Sequence, residues 1–228
     1  MPLILNIDTA TEHASVCLSN ESGVLLLKES QDQKNHGAFL QPAIQQILLE
    51  TGIDLQAVDA ISVTEGPGSY TGLRVGLASA KGLCYALQKP LIAINTLKVM
   101  ALAATINHVI PTPSNTLFCP MIDARRMEVF TAIYDIHLNL MEAPNAKILD
   151  SSSFEEIISQ QPMVFCGSGS LKMQALFNHS NAIFSLVQHT AAHLSILALR
   201  SFQEANFVDL AYFEPFYLKA FYSPPANK

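Results

Sequence analysis

None of the short loops that usually announce a catalytic or nucleotide-binding protein is complete in this chain. No Gly-Lys-Ser/Thr triplet occurs, which excludes a P-loop. The stretch "GPGSYTG" carries Gly66 and Gly68 but Thr71 where a dinucleotide loop needs its third glycine. Ser69 directly follows Gly68, with Pro67 before it, which excludes a GxSxG nucleophile elbow. No HExxH is present, and "HTAAH" has Thr190 where a zinc protease has Glu. The four cysteines, Cys17, Cys84, Cys119 and Cys166, form no CxxC pair and are expected to be buried, reduced thiols without a redox or zinc role. Basic excess is also missing. A net charge of −6 argues against a freestanding nucleic-acid binder, although a nucleic acid can still be reached through a partner. No apolar run approaches membrane-spanning length, and "MPLILNI" lacks the features of a signal peptide. The expectation is therefore a cytoplasmic protein with no membrane partner.

What is present points to a substantial core, since half of the 228 residues are apolar and 14% are charged. The first third predicts strands at 3–8, 13–19 and 24–30 as an antiparallel meander, then a helix from His36 to Thr51 stopped by Gly52 and kinked or restarted at Pro42. A strand "AISVTE", a helix after "GPGSYTG" capped by Thr71, a strand at 91–95 and a helix at 97–107 follow. After "HVIPTPSN" (108–115), a proline-marked linker, the order recurs. Strands at 116–123, 127–135 and through "NAKILD" precede a serine-capped helix in "SSSFEEIISQ", the strand "MVFCG", the helix "SLKMQALF", the strand "AIFSLV" and the helix "TAAHLSILALRSFQEA". The reading is α/β, with two βββαβαβα lobes at 1–107 and 116–228.

Two similar lobes create a cleft, and the hairpin tips "DTATEH" and "DARRM" would point into it. Asp8 and Asp123 end the first strand of each lobe. With Thr9 and Thr11 they have the chemistry to orient a metal-bound water or a phosphate, but the same residues also make ordinary turns through side chain to backbone hydrogen bonds. His189 and His193 stand at i, i+4, either a metal pair without an evident third ligand or two helix-end histidines. The helix after "GPGSYTG" carries Gly72, Val75, Gly76, Ser79, Gly82, Leu83 and Ala86 on one arc and Leu73, Leu77, Ala80, Cys84 and Leu87 on another. Glycines inside a helix each cost roughly 1 kcal/mol relative to Ala. A compensating close approach is expected, either to the chain's own Leu40/Ile44/Ile47 helix or to another subunit.

The stretches "LNIDTATEHASVCLS", "VTEGPGSYTGLRVGLASAKGL", "PLIAINTLKVMA", "IDARRMEVFTAIYD" and "EPFYLKA" resemble the bacterial TsaB (YeaZ) family, in that order along nearly the whole chain. The resemblance implies the duplicated actin/hexokinase/Hsp70-like (ASKHA) fold and a part in forming N6-threonylcarbamoyladenosine at position 37 of tRNAs reading ANN codons. In the similar catalytic family, TsaD, two histidines bind the active-site metal where this chain has Thr96 and Met100. The resemblance therefore implies no metal site and a non-catalytic scaffold or activator of TsaD, in a complex that TsaE joins. It further implies that the first helical pair, with Leu40, Ile44 and Ile47 beside the small-residue arc, docks TsaD or a second copy as a homodimer. No intrinsic cofactor is expected; ATP or ADP would bind only in the complex, tRNA would be met only through it, and Asp8, Thr9, Thr11 and Asp123 would be a vestigial nucleotide site. The alternatives are an ATP-dependent enzyme using the cleft and, less favoured for want of a nucleophile–base pair, a glycoprotease-type peptidase.

Overall fold

The computed structural model describes residues 1–32, 35–107, 113–176 and 178–219. The first half forms a five-stranded sheet. β1 (Ile4–Asp8), β2 (Ala14–Asn20) and β3 (Gly23–Ser30) are antiparallel, and β4 (Ala60–Gly66) and β5 (Leu91–Asn95) extend the sheet in parallel, giving the order β3-β2-β1-β4-β5. The second half repeats the design with β6 (Leu117–Asp123), β7 (Glu128–Tyr134), β8 (Leu140–Ile148), β9 (Met163–Cys166) and β10 (Ala182–Ser185), in the order β8-β7-β6-β9-β10. The helices are α1 (His36–Thr51), α2 (Tyr70–Leu87), α3 (Thr96–Asn107), α4 (Glu155–Gln160), α5 (Ser170–Leu176) and α6 (Ala191–Gln203). Among the described residues no helix is long and apolar enough to cross a membrane.

β1 is buried at every residue because helices cover both faces of its sheet. Leu5 and Ile7 point into a cluster with Leu40, Ile44 and Ile47 of α1 and Leu77 and Ala80 of α2. Ile4, on the opposite face, joins a cluster built from α3, α6 and the second sheet, with Leu97, Leu194, Phe118 and Val164. Burying a Leu or Ile of this kind contributes about 1.5–3 kcal/mol, so these alternating positions fix the strand's register. Asn6, the polar residue among them, donates to Ile4 O and Ser19 Oγ and accepts from Ser62 Oγ, which meets the requirement that a buried amide be paired. α6 packs on β1 and β2 although it follows the second sheet in sequence, and α3 packs on β6 although it follows the first. These two helices form a layer shared between the sheets.

Four local expectations are corrected. α1 does not restart at Pro42 but continues from His36 to Thr51, with Pro42 on its exposed side, where a freed carbonyl can meet water. The cap of α2 is Ser69, whose Oγ accepts from Gly72 N, rather than Thr71. α4 starts after Phe154 at φ 66 with no side-chain cap; Ser152 and Ser153 instead turn their hydroxyls to Asp150. β10 ends at Ser185, leaving Leu186 exposed. Part of the proline-marked linker, 108–112, lies outside the described residues, as do 177 and 220–228.

Candidate functional site

The two hairpin tips do meet across a cleft, but their aspartates are engaged. At the first tip Asp8 is 1% exposed, and its Oδ1 accepts from Ala10 N at 3.1 Å and from Thr64 Oγ1 at 2.9 Å. Oδ2 lies 3.2 Å from His189 Nε2, out of line for a good hydrogen bond. Burial pushes the Asp8 carboxyl up, yet His189 and these hydrogen bonds together hold it below its ordinary value. Thr9, fully buried, donates to Gly72 O at 2.7 Å and so ties the tip to α2.

Asp123, at the second tip, is exposed. Its Oδ1 accepts from Lys172 Nζ at 2.6 Å and from Arg125 N at 2.6 Å. Partial burial raises the carboxyl, and Lys172 with the backbone N–H of Arg125 brings it below the usual carboxylate range. Both aspartates accept from the amide two residues ahead, the side-chain turn that one of the two sequence readings describes. The cleft holds two cavities that share Thr11, Glu12 and Ser168. One, about 280 Å³, runs back to Met100, Gln188 and His189. The other, about 390 Å³, opens between Ser69–Thr71 and Asp123–Arg125. Of the four residues expected to mark a nucleotide site, only Thr11 and Asp123 line a cavity, and Asp123 already has its cation.

The histidines part company at the start of α6. Thr190 is the N-cap, so His189 lies before the helix and turns to Asp8. His193 Nδ1 accepts from Thr190 N, closing a capping box, while Nε2 is 2.9 Å from Asn107 Nδ2. Of the two readings of His189 and His193, the metal pair lacks the helical geometry that it needs, because the cap at Thr190 leaves His189 outside the helix. Sequence reasoning singled out His189 but missed its partner, Asp8, because their contact joins segments far apart in the chain. Thr96 and Met100 are buried, and the Met100 methyl group lies so near Gly167 that a Cβ there would stand well under 3.0 Å from it. Among the described residues no three His, Cys, Asp or Glu side chains gather where they could hold a metal ion. The four thiols are buried, and burial pushes Cys17, Cys84 and Cys119 up to about 12 and Cys166 higher still.

The small-residue arc of α2 divides in two. Gly72 and Gly76 are buried against the first tip, where a Cβ would meet Thr9 O and Thr9 Oγ1 respectively. Leu40, Ile44 and Ile47 are core residues of α1, at 0%, 4% and 0% exposure, so they seat the helix on the sheet and present nothing to a partner. The remainder faces outward: Gly82 and Ala86 are exposed, Val75, Ser79 and Leu83 are half-buried, and a Cβ at Gly82 would meet nothing within 4 Å. Gln41 Nε2 donates to Ser79 Oγ, so α1 borders this face, and Leu49 and Tyr85 stand out from the pair at 81% and 74% exposure. Arg74 and Lys81 of α2 hold the chain's own C-terminal segment. Lys81 Nζ donates to Ala211 O and Phe213 O, and Arg74 lies 4.2 Å over the Tyr70 ring and donates to Tyr217.

This geometry has counterparts among known proteins. The family model described as "TsaD: tRNA N6-adenosine threonylcarbamoyltransferase" matches residues 28–225. A Bacillus subtilis relative, "tRNA threonylcarbamoyladenosine biosynthesis protein TsaB", is 32% identical over 72% of this chain and 70% of its own length. The Escherichia coli protein of the same name is 37% identical over 58% of this chain, a match that spans about half of the relative's length. The solved structure "YeaZ from Pseudomonas aeruginosa" superposes with a TM-score of 0.78 at 27% identity, covering 96% of this chain and 100% of that one. Together with the repeated strand order, these likenesses identify the duplicated ASKHA-like α/β fold.

Proposed function

The chain belongs to the TsaB (YeaZ) family, and from that premise we propose that it serves N6-threonylcarbamoyladenosine biosynthesis as a non-catalytic subunit that docks TsaD through the outer face of α1 and α2. The observation that carries this reading is the contrast between its two surfaces. In the cleft, Asp123 is paired with Lys172, Asp8 is held by Ala10, Thr64 and His189, Thr9 is spent on α2, and Met100 and Thr96 are buried at the positions where, by the resemblance, the transferases have histidine ligands. Neither a thioether nor a lone hydroxyl replaces imidazole on a hard catalytic metal. On the outside, Gly82, Ala86, Ser79 and Val75 leave a flat strip flanked by exposed Leu49 and Tyr85, which suits close approach of another helix with large side chains at its border.

In this reading the substrate is a tRNA that decodes ANN codons. It is met only within the complex, TsaE joins the same assembly, and in the absence of TsaD the face pairs with a second copy. In the cleft, at Asp8, Thr9, Thr11 and Asp123, ATP or ADP then binds only in the assembled complex. The test is reconstitution. The chain alone is expected to leave tRNA unmodified, and adding it to TsaD with the threonylcarbamoyl donor is expected to raise modification well above TsaD alone. Modification by the chain by itself would overturn the assignment.

A further inference from the structure

We propose that a cavity outside the cleft, between β5, α3 and α6, binds a phosphate group. It encloses about 340 Å³, and its polar wall is made by Asn95, Lys98, Arg200, Ser201, Glu204 and Asn206.

The lysines and arginines of this acidic chain are mostly spoken for. Lys28, Lys89, Lys172 and Lys219 pair with Glu50, Asp59, Asp123 and Glu128; Lys81 holds two carbonyls; Arg74 and Lys147 lie over aromatic rings. Among the described residues only Lys98, Arg125, Arg126 and Arg200 have neither an ion pair nor a side-chain hydrogen bond nor a ring partner. Arg125 and Arg126 share one exposed hairpin tip. Lys98 and Arg200 come from different helices, α3 and α6, and converge on a single concavity. Two like charges in one cavity repel each other, and the concave wall concentrates their field. Glu204 lines the same cavity but reaches neither cation within ion-pair distance, so the cavity keeps a positive balance.

A guanidinium fork and an ammonium beside the Ser201 hydroxyl and the Asn206 amide form a donor set suited to phosphate oxygens, charged and neutral donors together. Asn95 is partly committed, giving its amide to Glu65 at 3.4 Å and its oxygen to Leu97 N. The shared chemistry is a phosphate ester, arriving either as a monoester on a small molecule or as a diester in an RNA backbone. This inference does not rest on the docking role, and it is read on the chain alone.

The experiment titrates the purified chain with inorganic phosphate, with ADP and with a single-stranded RNA of about 12 nucleotides, at low and high salt. Binding of at least one probe is expected, and the Lys98→Gln/Arg200→Gln double variant is expected to weaken it about tenfold, equivalent to roughly 1.4 kcal/mol. Lys28→Gln/Lys89→Gln, which removes the same charge elsewhere, is expected to leave affinity within about twofold, and Glu204→Gln to tighten it. Glutamine keeps a polar end on a shorter, uncharged stem at both cavity positions, and unchanged thermal midpoints exclude unfolding as the cause. Binding of phosphate and ADP identifies the monoester source; binding of RNA alone identifies the diester. No binding by the unaltered chain, or equal losses in the two double variants, would overturn the proposal.

Discussion

Three glycines on one helix should respond to the same substitution in three different ways. Gly72, Gly76 and Gly82 all lie within α2, where exchange for Ala gains up to about 1 kcal/mol of helix propensity. At Gly82 nothing lies within 4 Å of the added carbon, so Gly82→Ala should realise most of that gain. At Gly76 the new methyl group falls well under 3.0 Å from Thr9 Oγ1, with Thr9 Cβ at 3.5 Å. The hydroxyl can rotate away, but only by abandoning its bond to Gly72 O, worth about 0.5–1.5 kcal/mol. Gly76→Ala should therefore fall within about 0.5 kcal/mol of neutral, before any further overpacking cost. At Gly72 the obstacle is the backbone carbonyl of Thr9, also well under 3.0 Å away, with Ser69 Cβ at 3.3 Å. Backbone shifts of this kind cost about 1–3 kcal/mol, so Gly72→Ala should lose up to about 2 kcal/mol net and stand about 1–3 kcal/mol below Gly82→Ala. Urea denaturation followed by far-UV circular dichroism, at one low protein concentration so that self-association does not contribute, measures the series. Equal stability of Gly72→Ala and Gly82→Ala would refute the assignment of Gly72 and Gly76 to internal contact.

Removing one partner of the buried Asp8–His189 pair should cost about 3–5 kcal/mol at neutral pH, measured by denaturation of His189→Ala. The Asp8 carboxyl is held below its ordinary value near 3.8, so its contribution is present above that pH and is lost as pH falls through the lower folded value. The gap between His189→Ala and the unaltered chain should therefore narrow in acid, and a gap constant from pH 7 to pH 3 would contradict the pairing. All four thiols should resist a disulfide reagent at pH 8 until denaturant is added, since burial both excludes the reagent and suppresses the thiolate; rapid labelling of the native chain would contradict their placement. Arg74→Ala with Lys81→Ala should loosen the C-terminal segment, seen as faster proteolysis within 207–219, because two of the side chains that grip it are gone. An unchanged digestion rate would show that the apolar contacts of Val208, Leu210 and Phe213 suffice to hold it.

The duplicated element order was legible because its signals are local. Period-2 runs such as "LILNID" and the Gly52 stop of α1 declare strands and helix ends without knowledge of what packs on them. The faces of α2 were half legible. A helical projection groups Gly72, Gly76 and Gly82, but it does not tell that Thr9 folds back on the first two and leaves the third open. Leu40, Ile44 and Ile47 carry the same ambiguity, since an apolar stripe reads alike whether it meets its own sheet or a partner. The Asp8–His189 pair was not legible at all, because it depends on α6 crossing to the first sheet, and nothing at either position records that crossing. The grip of Lys81 on the C-terminal segment was hidden for the same reason.

The central claim is that the open half of the α2 face is where this chain meets TsaD, and arginine placed there tests it most directly. Gly82→Arg and Ala86→Arg both put bulk on exposed helical positions and should leave the fold and its thermal midpoint nearly unchanged. Mixed with TsaD and analysed by size-exclusion chromatography, the unaltered chain and a Leu140→Arg control on the exposed edge strand β8 should co-elute with it, while the two α2 variants should not. Co-elution of folded Gly82→Arg and Ala86→Arg with TsaD, as complete as that of the unaltered chain, would contradict the account.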